Sequence, residues 1–152
     1  MLYIIIVLAI ILADQLFKKW IVTNIPLYSE IALIPSIVHL TYLQNTGAAF
    51  SIFADSRIFL IILTGLLSVL LTVFIIKGKL SRWEKVCLSA VLGGAIGNLI
   101  DRIFLGYVVD MFEIEFMNFA IFNVADCFIV VGGIMFCVLY FIRSSKEEKS
   151  KQ

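Results

Sequence analysis

Four stretches of this chain stay apolar long enough to cross a bilayer: Leu2 to Val22, Ile58 to Ile76, Val86 to Phe104 and Ala120 to Ile142. Each is close to the roughly 20 residues that a spanning helix requires. Their apolar residues form continuous runs rather than recurring at core-facing intervals, so the pattern predicts helices buried by a bilayer and not by a globular core. The second stretch opens after Asp55 and Ser56, residue types that cap helices, and ends at Lys77-Gly78, a cation followed by a helix stop. The third opens with Ser81-Arg82-Trp83-Glu84, a capping box whose Ser and Glu side chains satisfy free backbone donors. Met1 to Ala13 is apolar like the core of a secretory leader, but no basic residue precedes it and no small-residue cleavage site follows, so it is expected to remain as the first span.

The connections read differently. Ser36 to Gln44 is rich in β-branched and aromatic residues and partly alternates, which predicts short strands, and Asn45-Thr46-Gly47 predicts a turn in which Gly47 takes the left-handed conformation. Gly106 to Asn118 mixes Glu113 and Glu115 with Met111, Phe112, Ile114, Phe116 and Met117, an interfacial composition that fits either a strand or a short helix. Ser144 to Gln152 reads as a solvated basic tail without fixed structure. The expected architecture is an all-α membrane protein, a single domain over residues 1–152, with four transmembrane helices, a small extracytoplasmic strand element and an outward interfacial segment.

Composition agrees with that reading. Of 152 residues 62% are hydrophobic and 15% charged, with a mean hydropathy of +1.07, against about 45–50% apolar usage in soluble domains. A net charge of +1 without a basic patch argues against nucleic-acid binding. Cys87, Cys127 and Cys137 lie inside apolar runs without the close pairing of a zinc or redox site, so packing is their expected role. Of the 12 Lys and Arg, eight fall in the loop between spans two and three and in the tail. Under the positive-inside rule this places both termini and that loop in the cytoplasm and the strands outside.

Ionisable groups inside a span cost about 2.5 to 3.5 kcal/mol each, so every one needs a reason. Asp14 and Lys18 are i and i+4 on span one; Asn98, Asp101 and Arg102 share a face of span three; Asn123 and Asp126 share a face of span four. Asp110 follows span three closely, and the topology brings all of these to one depth. A purely structural reading pairs Asp14 with Lys18 and Asp101 with Arg102 as ions that hold the bundle together. Asp110 and Asp126 have no basic residue within a helical turn. Two like carboxylates near one depth suggest a dyad sharing one proton, an arrangement that activates water against an amide. Gly93, Gly94 and Gly97 form a small-residue face for close helix packing. His39, the only histidine, is remote in sequence from Cys127, which points about 100 degrees away from Asp126 on an ideal helix, so a Cys/His nucleophile is disfavoured, as is a metal centre.

Five ordered motifs carry a resemblance: Asp14-Gln15-x-x-Lys18, Asn45-Thr46-Gly47-Ala48-Ala49-Phe50, Gly94-x-x-Gly97-Asn98-x-x-Asp101-Arg102, Val108-Val109-Asp110 and Phe122-Asn123-x-Ala125-Asp126. Together they resemble bacterial lipoprotein signal peptidase, signal peptidase II. One departure is Met111 after Asp110, where the family pattern leads one to expect Phe. The resemblance implies a membrane aspartyl endopeptidase that removes the signal peptide from prolipoproteins bearing a diacylglyceryl-modified cysteine. It implies Asp110 and Asp126 as the catalytic pair, with Asn45, Gly47, Asn98, Arg102 and Asn123 lining the site and Asp14, Lys18 and Asp101 in its polar surroundings. It also implies sensitivity to the cyclic peptide globomycin, no metal or organic cofactor, and a lipidated prolipoprotein and membrane lipid as partners, handled by a monomer. Either carboxyl can start as the base.

Two other classes compete. A proton-coupled transporter would spread polar groups through the full membrane depth, whereas the cytoplasmic halves of the spans are almost purely apolar. A structural membrane protein would leave Asp110 and Asp126 unexplained.

Overall fold

The computed structural model describes residues 1–47, 53, 56–117 and 119–149. Its elements, in chain order, are α1 (Leu2–Asn24), β1 (Glu30–Ile34), β2 (Val38–Asn45), α2 (Arg57–Lys77), α3 (Arg82–Phe104), β3 (Val108–Ile114) and α4 (Val124–Lys149). Among the described residues three helices, α2, α3 and α4, are long and apolar enough to cross a membrane. The fourth expected span, α1, has 23 residues but carries Asp14, Lys18 and Lys19 in its second half.

α3 is the axis of the bundle and packs against α1, α2 and α4. Its glycines explain how closely: a Cβ at Gly93 would lie 3.0 Å from Ile10 and one at Gly97 2.8 Å from Asp14 Oδ2, both on α1, while one at Gly94 would collide with the Ala125 carbonyl oxygen on α4. The small-residue face thus serves two helices at once. α2 fully buries Leu60, Ser68 and Ile75, a narrow stripe flanked by half-buried residues such as Ile61 and Leu71, and leaves most of its other apolar side chains exposed. That is what a helix facing lipid requires.

The strands form one antiparallel sheet in the order β1-β2-β3. β3 settles the ambiguous interfacial segment as a strand, because the free edge of β2 pairs with it from Val38↔Ile114 to Asn45↔Val108, with a bulge between Leu40 and Leu43. Leu40, Tyr42, Val109 and Met111 of the sheet bury against Ile21 and Ile25 at the end of α1. Met111 is 0% exposed, so the apolar bulk expected after Asp110 is used for packing.

Several sequence expectations need correction. The turn of the first hairpin lies at Ser36, whose φ is 61°, so β1 precedes the stretch expected to hold the strands. Among the described glycines the left-handed one is Gly106, at φ 90°, and not Gly47. Gly47 still belongs to a turn, since its N–H donates to Asn45 Oδ1 at 2.9 Å. α4 begins at Val124 instead of Ala120, because Phe122 pairs with Phe112 as extended chain. Its helix continues through Ser144 to Lys149, with Arg143 near Glu147 one turn on and Lys146 and Lys149 at the C-terminal end of the dipole. The α3 capping box forms as expected, with Ser81 N–H on Glu84 Oε2 at 2.7 Å and Glu84 N–H on Ser81 Oγ at 3.3 Å. Ser56 precedes α2 without a side-chain cap bond. Ala48 to Phe50 of the second motif, Asp55 and Asn118 lie outside the described residues.

Candidate active site

Lys18 organises the polar interior. Its ammonium reaches Asp14 Oδ2 at 2.9 Å, Asp101 Oδ2 at 2.8 Å and Asn98 Oδ1 at 2.8 Å, with the residue 3% exposed. Three donors thus meet three acceptors, the condition under which a buried ammonium is tolerated. Gln15, one residue from Asp14, donates to Asp101 Oδ1 at 2.7 Å and to the Gly97 carbonyl at 3.3 Å. The expected local pair of Asp101 with Arg102 is replaced by the pair of Asp101 with Lys18. Arg102 instead donates to the carbonyls of Gly47 at 2.7 Å and Asn98 at 3.4 Å, tying the end of β2 to α3.

Beyond this cation lie the two carboxyls that sequence singled out. Asp110, on β3 and 1% exposed, accepts from Asn45 Nδ2 at 2.9 Å and from Asn123 Nδ2 at 2.6 Å. Asp126, half-buried in the first turn of α4, accepts from Asn98 Nδ2 at 2.8 Å and from the Asn123 N–H at 3.2 Å. Asn123 Nδ2 also donates to Asn98 Oδ1 at 3.1 Å, so through its side chain and its backbone N–H Asn123 joins both carboxyls and the Lys18 group in one network.

Asn123 does this because it precedes α4 as its cap, not because it shares a helical face with Asp126 as expected. Its Oδ1 accepts from the Asp126 N–H at 2.9 Å while Asp126 accepts its N–H in return. The pair behaves as a capping box with Asp in place of Glu, and the helix N-terminus favours the Asp126 charge. The spacing Asn-x-x-Asp was the signal for it. Ala125 N–H in the same turn donates to Asp14 Oδ1 at 2.9 Å, which seats the start of α4 on α1.

The Asp110 carboxyl is pushed up from 3.8 to about 6, by burial first and by the nearby Asp126 charge, against hydrogen bonds from Asn45 and Asn123 and the Lys18 charge, which pull it down. Arg102 interacts electrostatically with both Asp126 and Asp110. The arrangement sets two oriented carboxyls, linked through Asn123, near a fixed cation.

Every candidate residue from the sequence falls within this network: Asp14, Lys18, Asn45, Gly47, Asn98, Asp101, Arg102, Asp110, Asn123 and Asp126. Gln15 was quoted with its motif but given no role. His39 stays apart on β2, between Glu30 at 3.7 Å and Glu115 at 3.4 Å, and Cys127 is exposed on α4.

The profile of the family described as Signal peptidase (SPase) II matches residues 6–142. This chain belongs to the signal peptidase II family. Among similar members are the lipoprotein signal peptidases of Enterococcus faecalis, 49% identical over 138 residues covering 90% of this chain and 84% of the relative, and of Streptococcus thermophilus, 45% identical over 134 residues covering 88% of each. That of Lactococcus lactis subsp. lactis is 42% identical over 149 residues covering 98% of each. Two solved structures of bacterial membrane enzymes, both 30% identical, superpose with TM-scores of 0.90, covering 95% of this chain and 90% of the other, and 0.83, covering 91% of each. As a member of the signal peptidase II family, the chain is an integral membrane protease of lipoprotein processing.

Proposed function

We propose that this protein cleaves signal peptides from diacylglyceryl-modified prolipoproteins, N-terminal to the lipidated cysteine, with Asp110 and Asp126 acting as an aspartyl dyad on a water molecule. The name shared by its relatives, lipoprotein signal peptidase, supports the substrate. The observation that carries the mechanism is the Asn123 bridge, which donates to Asp110 through its side chain and to Asp126 through its backbone.

Electrostatics favours a shared proton. Asp14, Asp101, Asp110 and Asp126 face the cations Lys18 and Arg102, so carboxylates outnumber cations and retention of one proton lowers the cost of burial. One carboxylate takes a proton from water as the water attacks the scissile carbonyl. The other carboxyl gives its proton to the carbonyl oxygen; as the C–N bond breaks, the proton taken from water passes from the first carboxyl to the leaving amine, and the second carboxyl recovers a proton from the collapsing hydroxyl. Asn45, Asn98 and Asn123 keep both carboxyls oriented, and Arg102 offsets negative charge as it develops. The direct test is incubation of the purified protein with a diacylglyceryl-modified prolipoprotein; absence of a product shortened at the lipidated cysteine would refute the reading.

The pH dependence has a definite sign. Turnover should show a limb near pH 6 that belongs to the pair. Asn45 donates to the ionised form of Asp110 and so lowers its affinity for a proton. Asn45→Ala should therefore move that limb to higher pH in a pH–rate profile. A limb that stays in place or moves down contradicts the assignment of Asp110.

The membrane arrangement completes the proposal: α1 is a fourth span, the chain forms one domain and acts as a monomer, both termini are cytoplasmic and the sheet lies on the outer surface. Paired ions on α1 support its insertion, because Asp14 and Lys18 neutralise each other inside the bundle. In a background with Cys87, Cys127 and Cys137 changed to Ala, Ser29→Cys should react with an impermeant thiol reagent on intact cells. Lys79→Cys and Ser145→Cys should not, and labelling of either from outside would reverse the orientation.

A further inference from the structure

The last carbonyls of a helix have no partner within it and must be satisfied from outside. At the end of α3 this is done by Arg57, the first residue of α2: its Nε donates to the Arg102 carbonyl and its Nη2 to the Ile103 carbonyl, each at 2.8 Å. One planar fork thus takes two successive carbonyls, and its charge opposes the negative end of the helix dipole. The same guanidinium lies against Gly106, where a Cβ would stand 3.3 Å from Nη1. Gly106 has φ 90° and turns the chain from α3 into β3.

What meets at this junction is catalytic geometry. Before it lie Asn98, Asp101 and Arg102; four residues after Gly106 comes Asp110. Asp101 already grips the return strand by accepting from the Val109 N–H at 3.2 Å. Arg102 reaches the Gly47 carbonyl, two residues beyond the Asn45 that holds Asp110. The angle at which α3 passes into β3 sets where the Asp110 carboxyl stands relative to Asn98 and Arg102 on the helix.

We propose that Arg57 is a positioning residue for this centre: by clamping the α3 end and flanking the Gly106 turn, it holds Asp110 in register with Asp126 and Arg102. The inference rests on the dyad reading above. Arg57 touches neither carboxyl and takes no part in proton transfer. Small displacements of reacting groups are costly in rate, so loss of the clamp acts on turnover.

Arg57→Ala should lower kcat per folded molecule on the order of 10- to 100-fold, with a much smaller change in KM. Arg57→Lys keeps the charge but offers no planar fork, so it should restore kcat only in part. Folded protein is quantified by size-exclusion profile and thermal midpoint in detergent. If Arg57→Ala does not accumulate, Arg57→Lys decides the matter, since it should fold and still turn over more slowly than wild type. An unchanged kcat per folded molecule, with or without a lower midpoint, or an effect confined to KM, overturns the positioning role. Asp110→Asn assayed in parallel separates this from the underlying reading. Turnover surviving in that variant defeats the dyad, whereas a dead Asp110→Asn beside a wild-type kcat in the Arg57 variants defeats only the inference about Arg57.

Discussion

Asp110→Asn and Asp126→Asn should each reduce cleavage of a lipidated prolipoprotein by roughly a thousandfold or more while the protein still inserts and binds substrate. Asn keeps the shape of Asp, but it cannot hold or release a proton near neutral pH. On the proposed mechanism the two carboxyls share one proton, so losing either member should stop the reaction and the double variant should be hardly worse than the single ones. Their environments predict equal need despite unequal burial: Asp110 is almost wholly enclosed between Asn45 and Asn123, while Asp126 is half-buried at the α4 cap. Turnover is measured per folded molecule at matched expression. Near-wild-type cleavage by either properly inserted variant refutes the aspartyl mechanism. Asp14→Asn should behave differently, leaving measurable cleavage and lowering stability, because Asp14 contacts Lys18 and the Ala125 N–H rather than either catalytic carboxyl.

The largest stability loss should follow Lys18→Met. Among the described residues Lys18 is the one group that contacts Asp14, Asp101 and Asn98 together, and it is 3% exposed. Removing it leaves two carboxylates uncompensated in the bundle, a loss of about 3–5 kcal/mol for a broken buried ion pair. Thermal unfolding in detergent measures this as a lowered midpoint or loss of folded protein. Adding Asp101→Asn to Lys18→Met removes one of the stranded charges, and the double variant should be more stable than Lys18→Met alone. Additive losses in the double variant would mean that the two residues are not coupled.

Features set by local chemistry were legible in the chain. The approximate positions of the helices follow from run lengths, and the Ser81 to Glu84 capping box formed because both partners lie within one turn. The polar residues that gather in the bundle were legible as a set, because an ionisable group inside an apolar run is too costly to occur without a reason. Their pairings were not. Asp101 and Arg102 are adjacent in sequence but project about 100 degrees apart on the helix, and only the docking of α1 against Gly97 brings Lys18 to Asp101. Asn123 and Asp126 looked like neighbours on a helical face until the pairing of Phe122 with Phe112 ended the extended chain and made Asn123 a cap. The segment after Gly106 became a strand for a similarly non-local reason: β2 presented an open edge. Composition and spacing along the chain decided which groups are buried, since burial depends on what each segment is made of. Which donor answers which acceptor was decided by helix docking and sheet pairing, since hydrogen-bond partners 80 residues apart, such as Lys18 and Asn98, meet only in the folded bundle.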